Sequence, residues 1–278
     1  MTVATHVRAP RATSARRAKY RALGAVGVSG ELLITVGVLL IGFLVWQLWW
    51  TDLVTQNAQQ QISQSLPWTQ LPLAGGPAAG AGSSPAGADS GVKVAVPQYS
   101  DPPVTDEPKY TVPAKAFAAM WVPRFGATWQ ANITEGTDKP NVLNKGFVGH
   151  YENTAMPGGV GNFAIAGHRT TYSKPFNLIA TLQVGDAVVI RTPHTWYVYT
   201  VTSTEIVYPN QVEVLAPVPD HPGQTPTARM ITMTSCTPMY SARQRYVVHG
   251  VLKYWANADD GSIPAELLAS TQAAGTTR

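Results

Sequence analysis

The sequence predicts an all-β domain carried behind a single N-terminal transmembrane helix. Residues 32–50 form a run of 19 without a charged side chain. From about 114 to 256, aromatic and β-branched residues come in short runs separated by turn signals, as an all-β domain requires. No long apolar helical period interrupts that region. "KPFNLIATL" at 174–182 suggests at most a short helix. Many short strands in about 140 residues favour a closed barrel or a sandwich.

In chain order, residues 1–28 are a basic tail, with Arg8, Arg11, Arg16, Arg17, Lys19 and Arg21 all before the first acid, Glu31. The net charge of +4 is therefore concentrated at one end. Nucleic-acid binding needs its cations on a folded face beside base-reading residues, so none is expected. Residues 29–50, ending "GVLLIGFLVWQLWW", are long enough to cross the hydrocarbon core, and Trp46, Trp49 and Trp50 suit its interface. "WWTDLVTQ" offers no small-residue cleavage site, so the helix reads as an uncleaved anchor. The basic flank assigns the N-terminus to the cytoplasm and everything after Thr51 to the outside.

Residues 51–113 read as an extracellular stalk. "LAGGPAAGAGSSPAGADSG" has few side chains able to build a core, and Pro97, Pro102, Pro103, Pro108 and Pro113 stiffen the segment after it. Such a flexible chain spans about 45 Å. The folded domain is expected over 114–256. Its strands include 161–168, a hairpin over 186–208 turning at Pro193-His194, and two runs ending and beginning near 236 and 244. Residues 257–278 are small and polar, and read as a disordered tail.

Within this domain lies the only cysteine, Cys236. In "RMITMTSC" the strand period puts Met230, Thr232, Thr234 and Cys236 on one face. Two hydroxyls beside a thiol make a poor core face, and the strand end just before Thr237-Pro238 leaves the thiol within reach. An inert, packed thiol is the plainer alternative. A thiol nucleophile needs an imidazole partner. His6 lies in the cytoplasmic tail, His194 in a hairpin turn and His221 in a loop. His249 lies about 13 Å along its strand from Arg245. His168, directly after Gly167 at a strand end, is favoured, with His150 second. A metal centre is not expected, because there is no His-x-x-x-His and the lone Cys has no ligand at finger spacing.

"TMTSC", an Arg nine residues beyond the Cys, and "GNFAIAGHR" about 70 residues upstream together resemble the sortases, membrane-anchored cysteine transpeptidases of Gram-positive bacteria. The resemblance covers about 114–256. "GHYENTAMPGGVGNFAIAGHRTTYSKPF", "CTPMYSARQRYVVH" and the "GELLI…QLWWTD" anchor look most like the class E sortases of actinobacteria. Many members have Leu and Thr where Met233 and Ser235 stand. The resemblance implies an eight-stranded closed β-barrel with short helices.

It also implies roles: Cys236 as nucleophile, His168 as acid and base, and Arg245 as the donor to substrate carbonyls and oxyanion. The implied substrate is a secreted protein bearing a Leu-Ala-x-Thr-Gly-like sorting signal, cut between Thr and Gly through a thioester. The implied acceptor is an amino group of a lipid-linked peptidoglycan precursor. No cofactor is expected. Some other sortases use calcium, but Glu205, Glu213 and Asp220 are scattered here, so no metal is expected either. Rival readings are a sortase-fold hydrolase, a pilin-polymerising sortase, or an anchored binding domain without catalysis. An L,D-transpeptidase would place His-Gly-Cys where this chain has Thr-Ser-Cys.

Overall fold

The computed structural model describes residues 13–46, 50–71, 92–106, 108 and 110–269. They fall into two units, residues 1–50 and 51–278. In the first, helix α1 (Thr13–Val45) contains the apolar stretch Gly27–Val45, with a mean hydropathy of 2.3 and no residue buried against protein. Bare Leu, Ile and Val on every side of a helix need an apolar solvent, so α1 is a candidate membrane span. The Gly/Ala/Ser-rich part of the expected stalk, residues 72–91, lies outside the described residues.

The second unit is a closed barrel of eight strands: β1 (Ala116–Trp121), β2 (Ala131–Glu135), β3 (Val148–His150), β4 (Gly161–Ala166), β5 (Ala187–Arg191), β6 (Thr195–Val207), β7 (Arg229–Thr237) and β8 (Gln244–Asn257). Around the barrel the order is β1-β2-β3-β4-β7-β8-β6-β5, and β5 pairs back onto β1. β2–β3 and β4–β7 are parallel, and the other neighbours are antiparallel. Met120, Ile133, Phe163, Ile165, Ile190, Tyr199, Ile231, Met233 and Val248 fill the interior. Alternate residues of the same strands therefore face outward. The expected strands at 161–168, 186–208 and around Cys236 are present, and 174–182 contributes only the short helical turn Ile179–Thr181.

The folded unit extends past the expected 114–256 at both ends. Thr51–Ser65 is helix α2, and Gln59 on it donates to the Lys145 carbonyl (2.9 Å) and bonds Asn132 (2.9 Å). Residues 92–106 lie along the barrel, with Ala95 buried and Gln98 bridged to Trp255. Beyond β8, Ala258, Ile263 and Leu267 are buried over Trp121, Trp196 and Tyr254. Part of the expected stalk and tail is thus a second apolar layer on the barrel wall. Residues 270–278 lie outside the described residues.

Candidate active site

Three outward-facing positions meet at one end of three adjacent strands. Phe163 and Ile165 of β4 point inward, so Ala164 and Ala166 point out, and the same parity carries His168 outward just beyond the strand. On β7, Ile231 and Met233 point in, so Thr232, Thr234 and Cys236 point out. On β8, Val248 points in and Arg245 out. The pairing fixes their level: Ala166 faces Thr234, and two residues on, His168 and Cys236 leave the same end of the barrel. Cys236 and Arg245 are direct antiparallel partners. Opposed residues of such a pair share a face about 4.5–5.5 Å apart at Cα. The half-buried thiol of Cys236 therefore stands between the strand leading to the imidazole and the strand carrying the guanidinium.

Each side chain has identifiable support. Gly167 precedes His168 because a Cβ there would come within 2.8 Å of the Phe176 ring, which packs under the turn. His168 Nε2 lies 2.8 Å from Asn144 Oδ1. Its ring sits 5.3 Å from that of Tyr172, tilted by 34°. Burial, and then the charge of Lys139, hold the His168 pKa below its ordinary value. Arg245 donates from Nη1 to the carbonyls of Ala242 and Gln244, both at 3.0 Å. Thr234 Oγ1 bonds Tyr151 Oη at 3.0 Å, two residues before the thiol.

Helix α2 braces the loops behind the imidazole. Gln59 holds the carbonyl of Lys145, next to Asn144, and Asp52 pairs with Lys174 at 2.8 Å. Tyr172, Ser173 and Lys174 all have positive φ, a backbone that L-residues enter only when neighbours enforce it. None of Asn144, Lys139, Tyr172 or α2 is legible in the sequence as part of the site. Nothing local marks them, because they reach His168 only through the fold.

The other titratable candidates are accounted for elsewhere. His150 is fully buried: Nδ1 lies 2.7 Å from Glu135 Oε2, and Nε2 bonds Thr154 Oγ1 at 2.9 Å. Its ring packs against Phe117 and Phe163, so it is a satisfied core histidine. His194 pairs with Asp259 on the surface, and His221 is exposed in the β6–β7 loop. Arg229 stands at the opposite end of β7 from Cys236, bonded to Gly158 and Asp101, and Arg243 is exposed in the β7–β8 turn. Glu205 and Asp220, distant in sequence, converge on His249, with their donor atoms within 4.8 Å of one another. Among the described residues that is the one cluster able to hold a cation. His249 there already bonds Glu205 (3.0 Å) and Thr232 (2.8 Å).

Known proteins are similar to this chain in sequence and fold. A family model described as the Sortase domain matches residues 120–253. Sortase SrtE1 of Streptomyces coelicolor is 33% identical over 250 residues, 86% of this chain, but the match spans only 62% of SrtE1. Sortase SrtE2 of the same organism is 32% identical over 91% of this chain and 92% of its own length. Among solved structures, the SrtA sortase from Actinomyces oris is 38% identical, with a TM-score of 0.57 over 62% of this chain and 96% of that one. A crystal structure of Sortase E1 from Streptomyces coelicolor with a tripeptide in the active site is 36% identical, with a TM-score of 0.51 over 55% and 96%.

Proposed function

The chain belongs to the sortase family of cysteine transpeptidases, with class E members among its relatives, and we propose that Cys236, His168 and Arg245 carry its reaction. The substrate is a secreted protein with a Leu-Ala-x-Thr-Gly-like sorting signal. His168 takes the proton of the Cys236 thiol, the resulting thiolate attacks the threonine carbonyl, and negative charge develops on its oxygen. Arg245, a permanent cation with a planar set of donors, stabilises that oxyanion. The C–N bond to glycine breaks, His168 protonates the departing amine, and a thioester remains on Cys236. An amino group of a lipid-linked peptidoglycan precursor then attacks the thioester. His168 takes the proton of the incoming amine and the thiolate leaves, so one imidazole serves as acid and base.

The observation that supports this reading is the shared outer face of β4, β7 and β8. On it Cys236 and its β8 partner Arg245 lie at the same end of the barrel as His168, which follows β4 by two residues. The role of α1 rests on its composition: it anchors the enzyme as a single pass, with the basic tail in the cytoplasm and the barrel outside. There the barrel meets both secreted proteins and cell-wall precursors.

The test uses the full chain in detergent micelles with a Leu-Ala-x-Thr-Gly peptide and a small primary amine. Cleavage between Thr and Gly, an amine-dependent ligated product and an acyl adduct at Cys236 are expected. Turnover that survives in Cys236→Ala overturns the assignment. Release of free acid alone at saturating amine would make the protein a hydrolase.

A further inference from the structure

The backbone ladder between β4 and β7 stops just short of the chemistry. Its last parallel partners are Ala166 and Thr234, and the last backbone bond there runs from the Gly167 N–H to the Thr234 carbonyl (3.2 Å). His168 and Cys236 lie beyond it, and Pro238, which has no N–H, comes two residues after the thiol. Main-chain bonding between these two strands therefore does not set the spacing of imidazole and thiol. Two side chains continue the ladder instead. Ser235 Oγ donates to the Gly167 carbonyl at 2.7 Å. Arg169, the residue after His168, reaches back across the gap, and its Nη1 donates to the Cys236 carbonyl (3.2 Å) and to Thr237 Oγ1 (2.7 Å).

We propose that Arg169 is a positioning residue for this reaction, clamping the strand end that carries the proton carrier to the strand end that carries the nucleophile. The inference rests on the assignment of Cys236 and His168 made above. Three further features support it. Arg169 is anchored on its own side, because Asn177 Nδ2 donates to its carbonyl (3.0 Å) and the Phe176 N–H to that of His168 (3.0 Å). Its guanidinium lies 5.9 Å over the ring of Tyr246, the β8 partner of Ser235, so the clamp touches all three strands of the site. Its Nε is buried without a hydrogen-bond partner among the described residues. An unpaired buried donor lowers stability, and an apolar side chain of similar length would avoid that loss. Stability alone does not explain an arginine here, whereas two acceptors at a fixed spacing, one of them the nucleophile's own carbonyl, do.

A misplacement of about 1 Å between reacting groups costs on the order of 100-fold in rate. Loss of the clamp should therefore appear in turnover rather than in peptide binding. The full chain in micelles is compared as wild type, Arg169→Met, Arg169→Lys, Arg169→Ala and Cys236→Ala, measuring kcat, KM and Tm. Arg169→Met should lower kcat about 10- to 100-fold with KM and Tm nearly unchanged. Arg169→Lys, which keeps the charge but not the planar fork, should fall between. Millimolar ethylguanidinium should restore part of the rate to Arg169→Ala and none to Cys236→Ala. A kcat for Arg169→Met and Arg169→Lys within about twofold of wild type overturns the clamp. So does a loss that disappears once rates are divided by the folded fraction. An inactive Cys236→Ala beside normal Arg169 variants sinks this inference alone, while an active Cys236→Ala removes the reading beneath it.

Discussion

His168 Nε2 lies 2.8 Å from Asn144 Oδ1, a contact that favours the ring tautomer with its hydrogen on Nε2. With the amide oxygen as acceptor, Nε2 carries the hydrogen and Nδ1 is left as the basic nitrogen. Asn144→Ala should let the ring turn, and kcat should fall by about 10-fold, less than the loss expected from a full 1 Å displacement. Asn144→Asp keeps the acceptor and adds a negative charge, which favours imidazolium. Its His168 should titrate at higher pH than in wild type. Steady-state kinetics and proton NMR of the His168 ring check both, and an unchanged titration in Asn144→Asp would mean that the contact is not made.

The pH response of His168 has two separable causes. Burial is the larger and the charge of Lys139 the smaller, and both favour the neutral ring. Lys139→Gln should therefore raise the His168 pKa only part of the way to its ordinary value of about 6.5. For stability the direction is fixed: the folded pKa is the lower one, so the unfolded chain takes up the proton first as pH falls. The contribution is fully present above about pH 6.5 and is lost as pH drops through the folded value. NMR titration of the two proteins tests this, and a fall in pKa on removing Lys139 would contradict it.

His150 and His168 differ in what their loss should cost. Both come after short apolar runs ending in glycine, which is why sequence alone could only rank them. Burial separates them: His150 is enclosed and holds Oε2 of the buried carboxylate of Glu135, whose Oε1 has no hydrogen-bond partner among the described residues. Breaking a buried pair of this kind costs about 3–5 kcal/mol. His150→Ala should melt roughly 10 °C lower yet turn over normally per folded molecule, whereas His168→Ala should melt normally and be nearly inactive. Calorimetry with active-site titration distinguishes them.

The same contrast describes what the sequence made legible. Strands β4, β6, β7 and β8 show themselves through alternation and turns, and the candidate residues Cys236, His168 and Arg245 are proposed from a short motif. β1 and β2 do not. In β1, Ala118 and Met120 face the interior while Ala119 and Trp121 face the second apolar layer, so burial on both sides erased the alternation. That layer comes from residues before 114 and after 256, where Ala, Val, Ile and Leu are spaced among Pro, Gly and Ser and look like linker. The supports of His168 were hidden for a related reason: Asn144 stands 24 residues away from it.

Arg245 and Arg243 separate electrostatics from surface charge. Arg245 opposes Cys236 in the β7–β8 ladder, whereas Arg243 is exposed in the turn before β8. If Arg245 stabilises the oxyanion, Arg245→Ala should lose on the order of 100- to 1,000-fold in kcat without a change in Tm. Arg245→Lys should recover part of this, because charge persists while the planar fork is lost. An exposed ion pair is worth under about 1 kcal/mol, so Arg243→Ala should be mild. A larger defect for Arg243 would reassign the role.

The flanking segments make the last prediction, because they stabilise the barrel and brace its site in different ways. Residues 92–106 and 258–269 belong to the wall: Ile263 and Leu267 are buried, and Trp196 Nε1 donates to the Ser262 carbonyl at 3.0 Å. Tyr197 Oη donates to the Pro103 carbonyl at 2.6 Å. Each fully buried Ile or Leu contributes about 1.5–3 kcal/mol. A chain trimmed to 110–260 should therefore melt at least about 6 °C below one spanning 51–269. Helix α2 instead touches the loops of Lys145 and Lys174, next to the residues that hold His168. Trimming to 92–269 should keep most of the melting temperature but lower kcat, because Asn144 and Tyr172 lose their brace. Thermal unfolding and peptide turnover of the three trimmed chains decide it. Equal melting of 110–260 and 51–269 would mean that the outer layer adds nothing. Full activity of 92–269 would mean that α2 is only a spacer between the anchor and the barrel.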